Sequence, residues 1–292
     1  MTFTRDSKQI IDERQALSRG LQAHEEQEED HKNTPIQDSE AVTRVKRSRL
    51  VQLSLVPELV PAANAAIRSC LFTTGVGQRE MFHDYKQIIT WHKNLVIRYK
   101  GEELRQDDCS LWIQLCKKAT LSPQFRVSCS FYQLLKELKL TDTGPNRKKL
   151  REQLDRLFEG KLHITFGNIE YKGSILPEFA IDSNGKIVAN LSITISKLLG
   201  IHDFSMLNWD VRLSLPPTSQ WFHGFLKSQS GPDVIISWDK IKGLSGSKEH
   251  NMDNFKRNFR KAVIKPLQGV GFILSARTQK GKLHVVIDKS KG

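Results

Sequence analysis

The sequence predicts a mixed α+β fold in which one pattern of elements occurs twice. In each half of the chain, a short helix and a longer basic helix precede two strands that form a hairpin. The 292 residues also carry a formal net charge of +13. Repeated basic helices and an excess of cations favour a polyanionic partner, so the same observations bear on fold and on function.

The charge is unevenly distributed along the chain. Residues 1–40 hold five Lys/Arg and ten Asp/Glu, so the other residues hold 40 basic and 22 acidic side chains, a balance of +18. The acidic segment contains the run Glu25–Asp30 and too few apolar residues to bury a core. We therefore predict that residues 1–50 form a disordered acidic arm with a basic end.

Residues 51–90 are predicted to be a linker before the first domain. Pro57 and Pro61 interrupt an apolar stretch there and argue against a long helix.

The first predicted domain spans residues 91–205. Leu95–Lys100 has the composition of a strand, and Asp107 or Asp108 is predicted to cap the helix that follows. The apolar face of that helix holds Leu111, Trp112, Leu115 and Cys116.

A pair of helices follows in the same domain. Ser130–Leu138 is predicted to be a short amphipathic helix, and Thr141–Pro145 the turn after it. The next helix, Gly144–Phe158, carries its apolar and basic side chains on different faces. Its apolar face holds Leu150, Leu154 and Leu157, and its basic face holds Arg147, Lys148 and Arg151. A short helix, a tight turn and a basic second helix are typical of proteins that read the DNA major groove.

Strands complete this domain. Leu162–Phe166 and Tyr171–Ile175 alternate between apolar and polar residues, and Asn184-Gly185 joins two further short strands in a predicted hairpin. Helices followed by a hairpin describe a winged helix.

Residues 206–292 are predicted to repeat this order. The predicted elements are a helix at Pro217–Leu226, a strand at Val234–Ser237, a short helix at Trp238–Leu244, a long helix at Asn251–Leu267 and a hairpin with its turn at Gln279–Gly281. The long helix turns Phe255, Phe259 and Val263 inward. The chain is therefore predicted to contain two tandem winged-helix domains.

Exposed cations and amides on the two basic helices and on the second hairpin are the candidate DNA-binding residues. They are Asn146, Arg147, Lys148, Arg151, Asn254, Lys256, Arg257, Asn258, Arg260, Lys261, Lys280 and Lys282. Lys and Arg mostly contact phosphates, whereas an Asn or a bidentate Arg reads bases. The pattern does not separate the two roles residue by residue, and some of these cations are expected to be bystanders on solvated faces.

Several stretches resemble the TrfA family of plasmid replication initiators. The resemblance begins at Leu71–Thr74, is most specific at Tyr99–Asp108 and includes Phe131-Tyr132. The resemblance runs from about residue 50 to the C-terminus. Its later half matches the family by the pattern of elements more than by identical residues. It implies an initiator that binds directly repeated origin sites, helps to open the adjacent DNA and recruits host DnaA, the replicative helicase and the sliding clamp. It also implies an equilibrium between dimer and monomer, so a homodimer is a candidate assembly.

One peptide sharpens that resemblance. Gln52, Leu53, Ser54, Leu55 and Val56 are similar to the Gln-Leu-Ser-Leu-Phe peptide by which such proteins engage the sliding clamp. Val56 stands where the peptide has its final aromatic residue and fills less of an apolar pocket. The alternative is a strand or linker packed on the first domain.

Other classes of protein are less well supported. A winged-helix transcriptional repressor of a plasmid operon remains the alternative function. A nicking enzyme needs clustered His ligands, but the histidines lie singly, and no phosphate-binding Gly-x-x-x-x-Gly-Lys loop occurs. We therefore predict no enzymatic activity and no cofactor. The four cysteines lack zinc-site spacing, and the absence of a long apolar run or secretory leader predicts a cytoplasmic protein without a membrane span.

Overall fold

The computed structural model describes residues 58–122, 124–167, 169–191 and 203–292, and these form a mixed α+β structure with several small sheets. All of them belong to one compact unit, Arg44–Gly292. The predicted acidic arm and the clamp-like peptide Gln52–Val56 lie outside the described residues. In the described part of the chain, helices are too short or too polar to cross a membrane.

The first half of the described chain contains eight strands and four helices. In order they are β1 (Leu59–Ala63), α1 (Asn64–Ile67), β2 (Met81–Ile88), β3 (Leu95–Glu102), α2 (Gln106–Leu121), β4 (Arg126–Ser130), α3 (Phe131–Glu137), α4 (Gly144–Glu159), β5 (Lys161–Phe166), β6 (Ile169–Ser174), β7 (Glu178–Ile181) and β8 (Lys186–Asn190). One antiparallel sheet has the order β4-β8-β7, and a second has the order β2-β3-β5-β6.

The second half begins with a strand that pairs with β1. Its elements are β9 (Phe204–Asn208), α5 (Trp209–Ser214), α6 (Pro217–Lys227), β10 (Asp233–Ser237), α7 (Trp238–Ser245), α8 (Met252–Phe259), α9 (Lys265–Gly269), β11 (Ile273–Gln279) and β12 (Lys282–Ile287). The last three strands form an antiparallel sheet of order β10-β12-β11.

The two halves share one arrangement. We call α2, β4, α3, α4, β7 and β8 the first module, and α6, β10, α7, α8, α9, β11 and β12 the second module. In both, a helix, a strand, a short helix and a longer helical segment precede a hairpin, and the lone strand pairs with the second strand of the hairpin. In the first half, β5 and β6 are inserted between α4 and the hairpin. The repeated order of elements predicted from the sequence is confirmed.

Local sequence explains the helical pair of the first module. Ser130 caps α3 by accepting a hydrogen bond from the backbone N–H of Gln133, and Thr143 caps α4 through the N–H of Asn146. Pro145 occupies the first turn of α4, where its missing N–H has no consequence. Gly144 and Pro145 therefore belong to the helix rather than to the predicted turn, and residues 138–143 connect the two helices. The residues Leu150, Leu154 and Leu157 are fully buried, as predicted.

The start of α2 agrees in part with the prediction. Arg105 is its N-cap residue, and Asp107 and Asp108 lie in the first turn. Asp108 Oδ2 accepts a hydrogen bond from the backbone N–H of Arg105 at 2.9 Å. Asp108 thereby takes part in a capping box as the third residue of the helix, and both carboxylates are favourable beside the positive end of the helix dipole. Trp112 is buried, and Cys116 packs against the core as expected.

Part of the predicted linker is folded. Between residues 58 and 90 the chain forms β1, α1 and β2, and it buries Val60, Ile67 and Phe72 in the core of the first half. Pro61 lies opposite Met206 in the two-stranded β1–β9 pair. A proline disfavours the interior of a helix but is tolerated where one side of a strand needs no ladder hydrogen bond.

The long basic helix of the second module is interrupted. Asn251 caps α8, and residues Arg260–Ile264 form a π-helical turn before α9. The cause is Pro266, which lacks the N–H that would bond the carbonyl of Ala262. Instead, Lys265 N–H bonds the carbonyl of Arg260, and the Ser219 hydroxyl donates to the Ala262 carbonyl at 2.6 Å. The predicted single helix is thus three consecutive segments.

A buried polar contact joins the two halves. Arg212 is 0% exposed and donates to Gln106 Oε1 at 3.0 Å and to the carbonyl of Gln220 at 3.0 Å. Nearby, the rings of Trp91 and Phe225 meet edge to face with centroids 5.3 Å apart. Buried hydrogen bonds of this kind fix geometry, because leaving either partner unsatisfied is costly.

Candidate nucleic-acid interface

The first candidate surface is the outer face of α4. Arg147, Lys148 and Arg151 are exposed and line a shallow depression together with the hairpin turn Asp182–Gly185. Asn184-Gly185 forms that turn with Gly185 at a φ of 75°, as the sequence predicted. The predicted cations of the first module and its hairpin therefore share one surface.

Two of the polar side chains on this surface are already engaged. Arg147 forms a two-pronged ion pair with Asp142, with Nε–Oδ1 at 2.5 Å and Nη2–Oδ2 at 2.8 Å. That hydrogen-bonded pair lowers the pKa of Asp142 and keeps it ionised at neutral pH. Asn146 Nδ2 donates to the carbonyl of Thr141 at 2.8 Å. Lys148 makes no hydrogen bond or ion pair with the described residues, so it is available to a ligand.

The second candidate surface is the outer face of α8 and the π-helical turn. Arg257, Asn258, Arg260 and Lys261 are exposed, and Asn254 is half-buried. Residues 254, 257, 258 and 261 have the spacing of one helical face. The predicted cations and amides of the second helix are therefore brought together.

Neutral groups orient the side chains of this face. Arg260 Nη2 donates to Thr278 Oγ1 at 2.9 Å, and its guanidinium lies 5.2 Å from the Trp238 ring. Arg257 Nη2 donates to Asn254 Oδ1 at 2.8 Å. These contacts position the guanidinium groups and leave their charge uncompensated. Asn258 and Lys261 make no side-chain hydrogen bond or ion pair within the described parts of the chain.

Lys256 differs from its neighbours. Its Nζ lies 3.2 Å from Asp253 Oδ1, and its side chain is only 29% exposed. It points away from the face that holds Arg257 and Asn258, so its contact with a ligand would be at the margin of this surface.

The second hairpin carries cations at its tip. Lys280 and Gly281 have φ values of 48° and 72°, the combination required by a two-residue turn between twisted strands. Lys280 and Lys282 are exposed beside this turn. The hairpin therefore presents positive charge next to the basic helix, as predicted.

Sequence patterns did not reveal the residues that organise these surfaces. Asp142 lies five residues before Arg147, a spacing outside the helical i, i+4 relation, and Thr278 and Trp238 come from separate elements. Only the fold brings them to Arg147 and Arg260.

The cysteines and histidines are dispersed. Within residues 58–122, 124–167, 169–191 and 203–292, no three His, Cys, Asp or Glu side chains are placed to hold a metal ion. Cys109 and Cys129 are buried, and burial raises the pKa of each thiol to about 11.

Two solved structures share this fold. A crystal structure of selenomethionine derivatives of domains 2 and 3 of RctB matches with a TM-score of 0.53 and 11% identity, over 77% of this chain and 97% of that chain. A structure of RctB domains 2-3 matches with a TM-score of 0.51 and 11% identity, over 75% and 96%. At 11% sequence identity, these matches show a similarity of fold alone. No family model matches the sequence, and no curated protein matches it.

Proposed function

We propose that the protein is a plasmid replication initiator that binds repeated sites in double-stranded origin DNA. The observation that carries the proposal is the repeated module, in which an exposed basic helix lies beside a hairpin. Two such surfaces in one compact unit suit a chain that contacts two successive turns of one duplex.

In this proposal each module is a winged helix. The order of elements and the pairing of the lone strand with the second hairpin strand support that assignment in both modules. The second helix of each pair, α4 or α8, then enters the major groove, and the hairpin touches the backbone or the minor groove.

The second module has the larger role in reading sequence. Asn254 and Asn258 supply amides suited to adenine, and Arg257 supplies a guanidinium suited to guanine. Lys261, Lys280 and Lys282 contact phosphates. In the first module, Lys148 and Arg151 also act mainly on phosphates, while Arg147 stays partly committed to Asp142.

The fold shared with domains 2 and 3 of RctB supports a replication-initiator role at the level of fold. The stretches that resemble TrfA motivate the finer proposal of iteron binding, opening of the origin and recruitment of host DnaA and helicase. The protein acts without enzymatic chemistry, and its homodimer is a storage form in this scheme.

A DNase footprint on the DNA that flanks the protein's own gene tests the proposed function. Regularly spaced protections over direct repeats are expected. A single protected palindrome would contradict the initiator and support the repressor.

The clamp-like peptide is proposed to bind the host sliding clamp. A Gln52→Ala/Leu55→Ala variant should lose clamp binding in a pull-down with purified clamp, whereas a Ser54→Ala variant should retain it. Equal clamp binding by the double variant and the wild-type protein would contradict this role.

A further inference from the structure

The four-stranded sheet β2-β3-β5-β6 has one apolar and one basic face. Along β3, Leu95, Ile97 and Tyr99 are buried, whereas Arg98 and Lys100 point to the opposite side. The neighbouring strands continue this alternation. We call the outward residues Tyr85, Arg98, Lys100, Lys161, His163 and Lys172 the basic sheet face.

Register places like charges side by side on this face. Lys100 lies directly opposite Lys161 on β5, and Arg98 lies opposite His163, which in turn lies opposite Lys172 on β6. Side chains directly across an antiparallel pair are about 5 Å apart, and like charges at that distance are destabilising. The Lys100–Lys161 pair therefore favours a bound anion that neutralises it, and Arg98 and Lys172 add positive charge on the same face.

The described residues supply little counter-charge. Arg98 and Lys100 make no ion pair or hydrogen bond through their side chains with any described residue. Glu170 is the acidic group of the face, and its Oε1 lies 3.0 Å from Lys172 Nζ and 2.6 Å from His163 Nε2. Glu102, at the end of β3, lies within 4 Å of Arg79 and Arg156 instead.

An aromatic ring borders the cations. Tyr85 on the edge strand β2 is 44% exposed, and its ring meets His163 edge to face with centroids 6.0 Å apart. An exposed tyrosine held against a second ring offers a platform on which an unpaired base can stack.

We propose that the basic sheet face binds single-stranded nucleic acid, with the phosphates along Arg98, Lys100 and Lys161 and a base on Tyr85. Duplex grooves admit a helix or a two-stranded ribbon, whereas a broad sheet with cations and an exposed aromatic suits splayed bases. The site is separate from the helix surfaces of α4 and α8 and does not depend on the duplex contacts proposed above.

The simplest test compares the binding of labelled oligo-dT by the full chain and by an Arg98→Ala/Lys100→Ala variant. We expect the variant to lose affinity about tenfold and its log–log salt slope to fall by about 1.4, since each single-strand phosphate contact contributes about 0.7. An Arg126→Ala/Lys136→Ala variant removes two exposed cations elsewhere and should bind as the wild-type protein does.

Stacking is tested at Tyr85 with the same oligonucleotide. Tyr85→Ala should weaken binding about tenfold, because one base–aromatic stack contributes about 1–3 kcal/mol, and Tyr85→Phe should restore it. Thermal unfolding of each variant confirms that the fold is intact.

Repeat-bearing duplex is the second probe. Its affinity should stay within about twofold in the Arg98→Ala/Lys100→Ala variant. Oligo-dT binding that equals that of the Arg126→Ala/Lys136→Ala control would overturn the proposal. An equal loss for duplex and oligo-dT would also overturn it and would assign the face to duplex DNA.

Discussion

The exposed helices α4 and α8 occupy the same place in their modules but differ in how their cations are engaged. On α4, Arg147 is bound to Asp142, and Lys149 Nζ lies 3.4 Å from Asp107 Oδ2. On the second helix, Arg260 is held by a hydroxyl and an aromatic ring. Carboxylates therefore partly neutralise the cations of α4, whereas Arg257, Arg260 and Lys261 have no carboxylate partner among the described residues and only Lys256 pairs with Asp253.

The residues that precede each helix account for much of this difference. The segment before α4 contains Asp142 next to its cap Thr143, and that carboxylate pairs with Arg147. The carboxylates at the start of α8 are engaged elsewhere, since Glu249 accepts from the N–H of Asn251 and Asp253 pairs with Lys256. A carboxylate one residue before the cap reaches the first turn and competes with a phosphate for Arg147. If the protein binds DNA as proposed, we expect α8 to supply more of the affinity than α4.

The largest effect is expected from the second helix. An Arg257→Ala/Asn258→Ala variant should bind repeat DNA about 100-fold more weakly, because two base contacts of about 1–3 kcal/mol each are lost. The matched Lys148→Ala/Arg151→Ala variant of the first helix should lose about tenfold. Fluorescence anisotropy with one labelled repeat measures both, and equal losses would remove the asymmetry between the modules.

Salt dependence separates phosphate contacts from base contacts. The plot of log affinity against log salt should become shallower by about 2 in Lys148→Ala/Arg151→Ala, since each phosphate contact contributes about 0.9. Replacing the neutral Asn258 by Ala should lower the affinity at every salt concentration with no change of slope. An unchanged slope in the lysine–arginine variant would show that α4 does not touch phosphates.

Releasing Arg147 should strengthen binding. Asp142→Asn removes the carboxylate that holds the guanidinium, and affinity for repeat DNA should rise about threefold as an added charge faces the phosphates. Asp210→Asn breaks a comparable exposed pair with Lys139 on another surface and serves as the control. Weaker binding by Asp142→Asn would show that the ion pair positions Arg147 for DNA.

The smallest expected effect concerns the π-helical turn that α4 lacks. Ser219→Ala removes the hydrogen bond to the Ala262 carbonyl and should lower the free energy of unfolding by about 1 kcal/mol. Ser214→Ala, whose exposed hydroxyl bonds the carbonyl of Val211, should have almost no effect. Denaturant unfolding compares the two, and equal stabilities would mean that the turn does not depend on Ser219.

Short sequence patterns predicted the helices and hairpins. They did not predict contacts between residues that are distant in the chain. The positions of Leu150, Leu154 and Leu157 defined α4, and Asn184-Gly185 defined a hairpin, because each pattern lies within a few residues. The four-stranded sheet was missed, since β3 pairs with β5, which lies some 65 residues further along the chain. Its outward cations Arg98 and Lys100 consequently passed unnoticed.

The sequence predicted which residue types form the candidate DNA surface. It did not predict which of their side chains already have partners within the protein. Arg147 and Arg260 look alike in sequence, and only the fold shows that one faces Asp142 and the other Thr278. Pro266 in the sequence argues against a continuous helix. The Ser219 hydroxyl that bonds the freed Ala262 carbonyl could not be predicted, because it lies 43 residues away.

Guanine methylation interference on a single repeat tests the central claim most directly, because N7 methylation blocks major-groove contacts. The wild-type protein should show two groups of interfering guanines about one helical turn apart. Arg257→Ala/Asn258→Ala should abolish the stronger group, and Lys148→Ala/Arg151→Ala should preserve both. A single group that is insensitive to the second-helix substitutions would contradict the account.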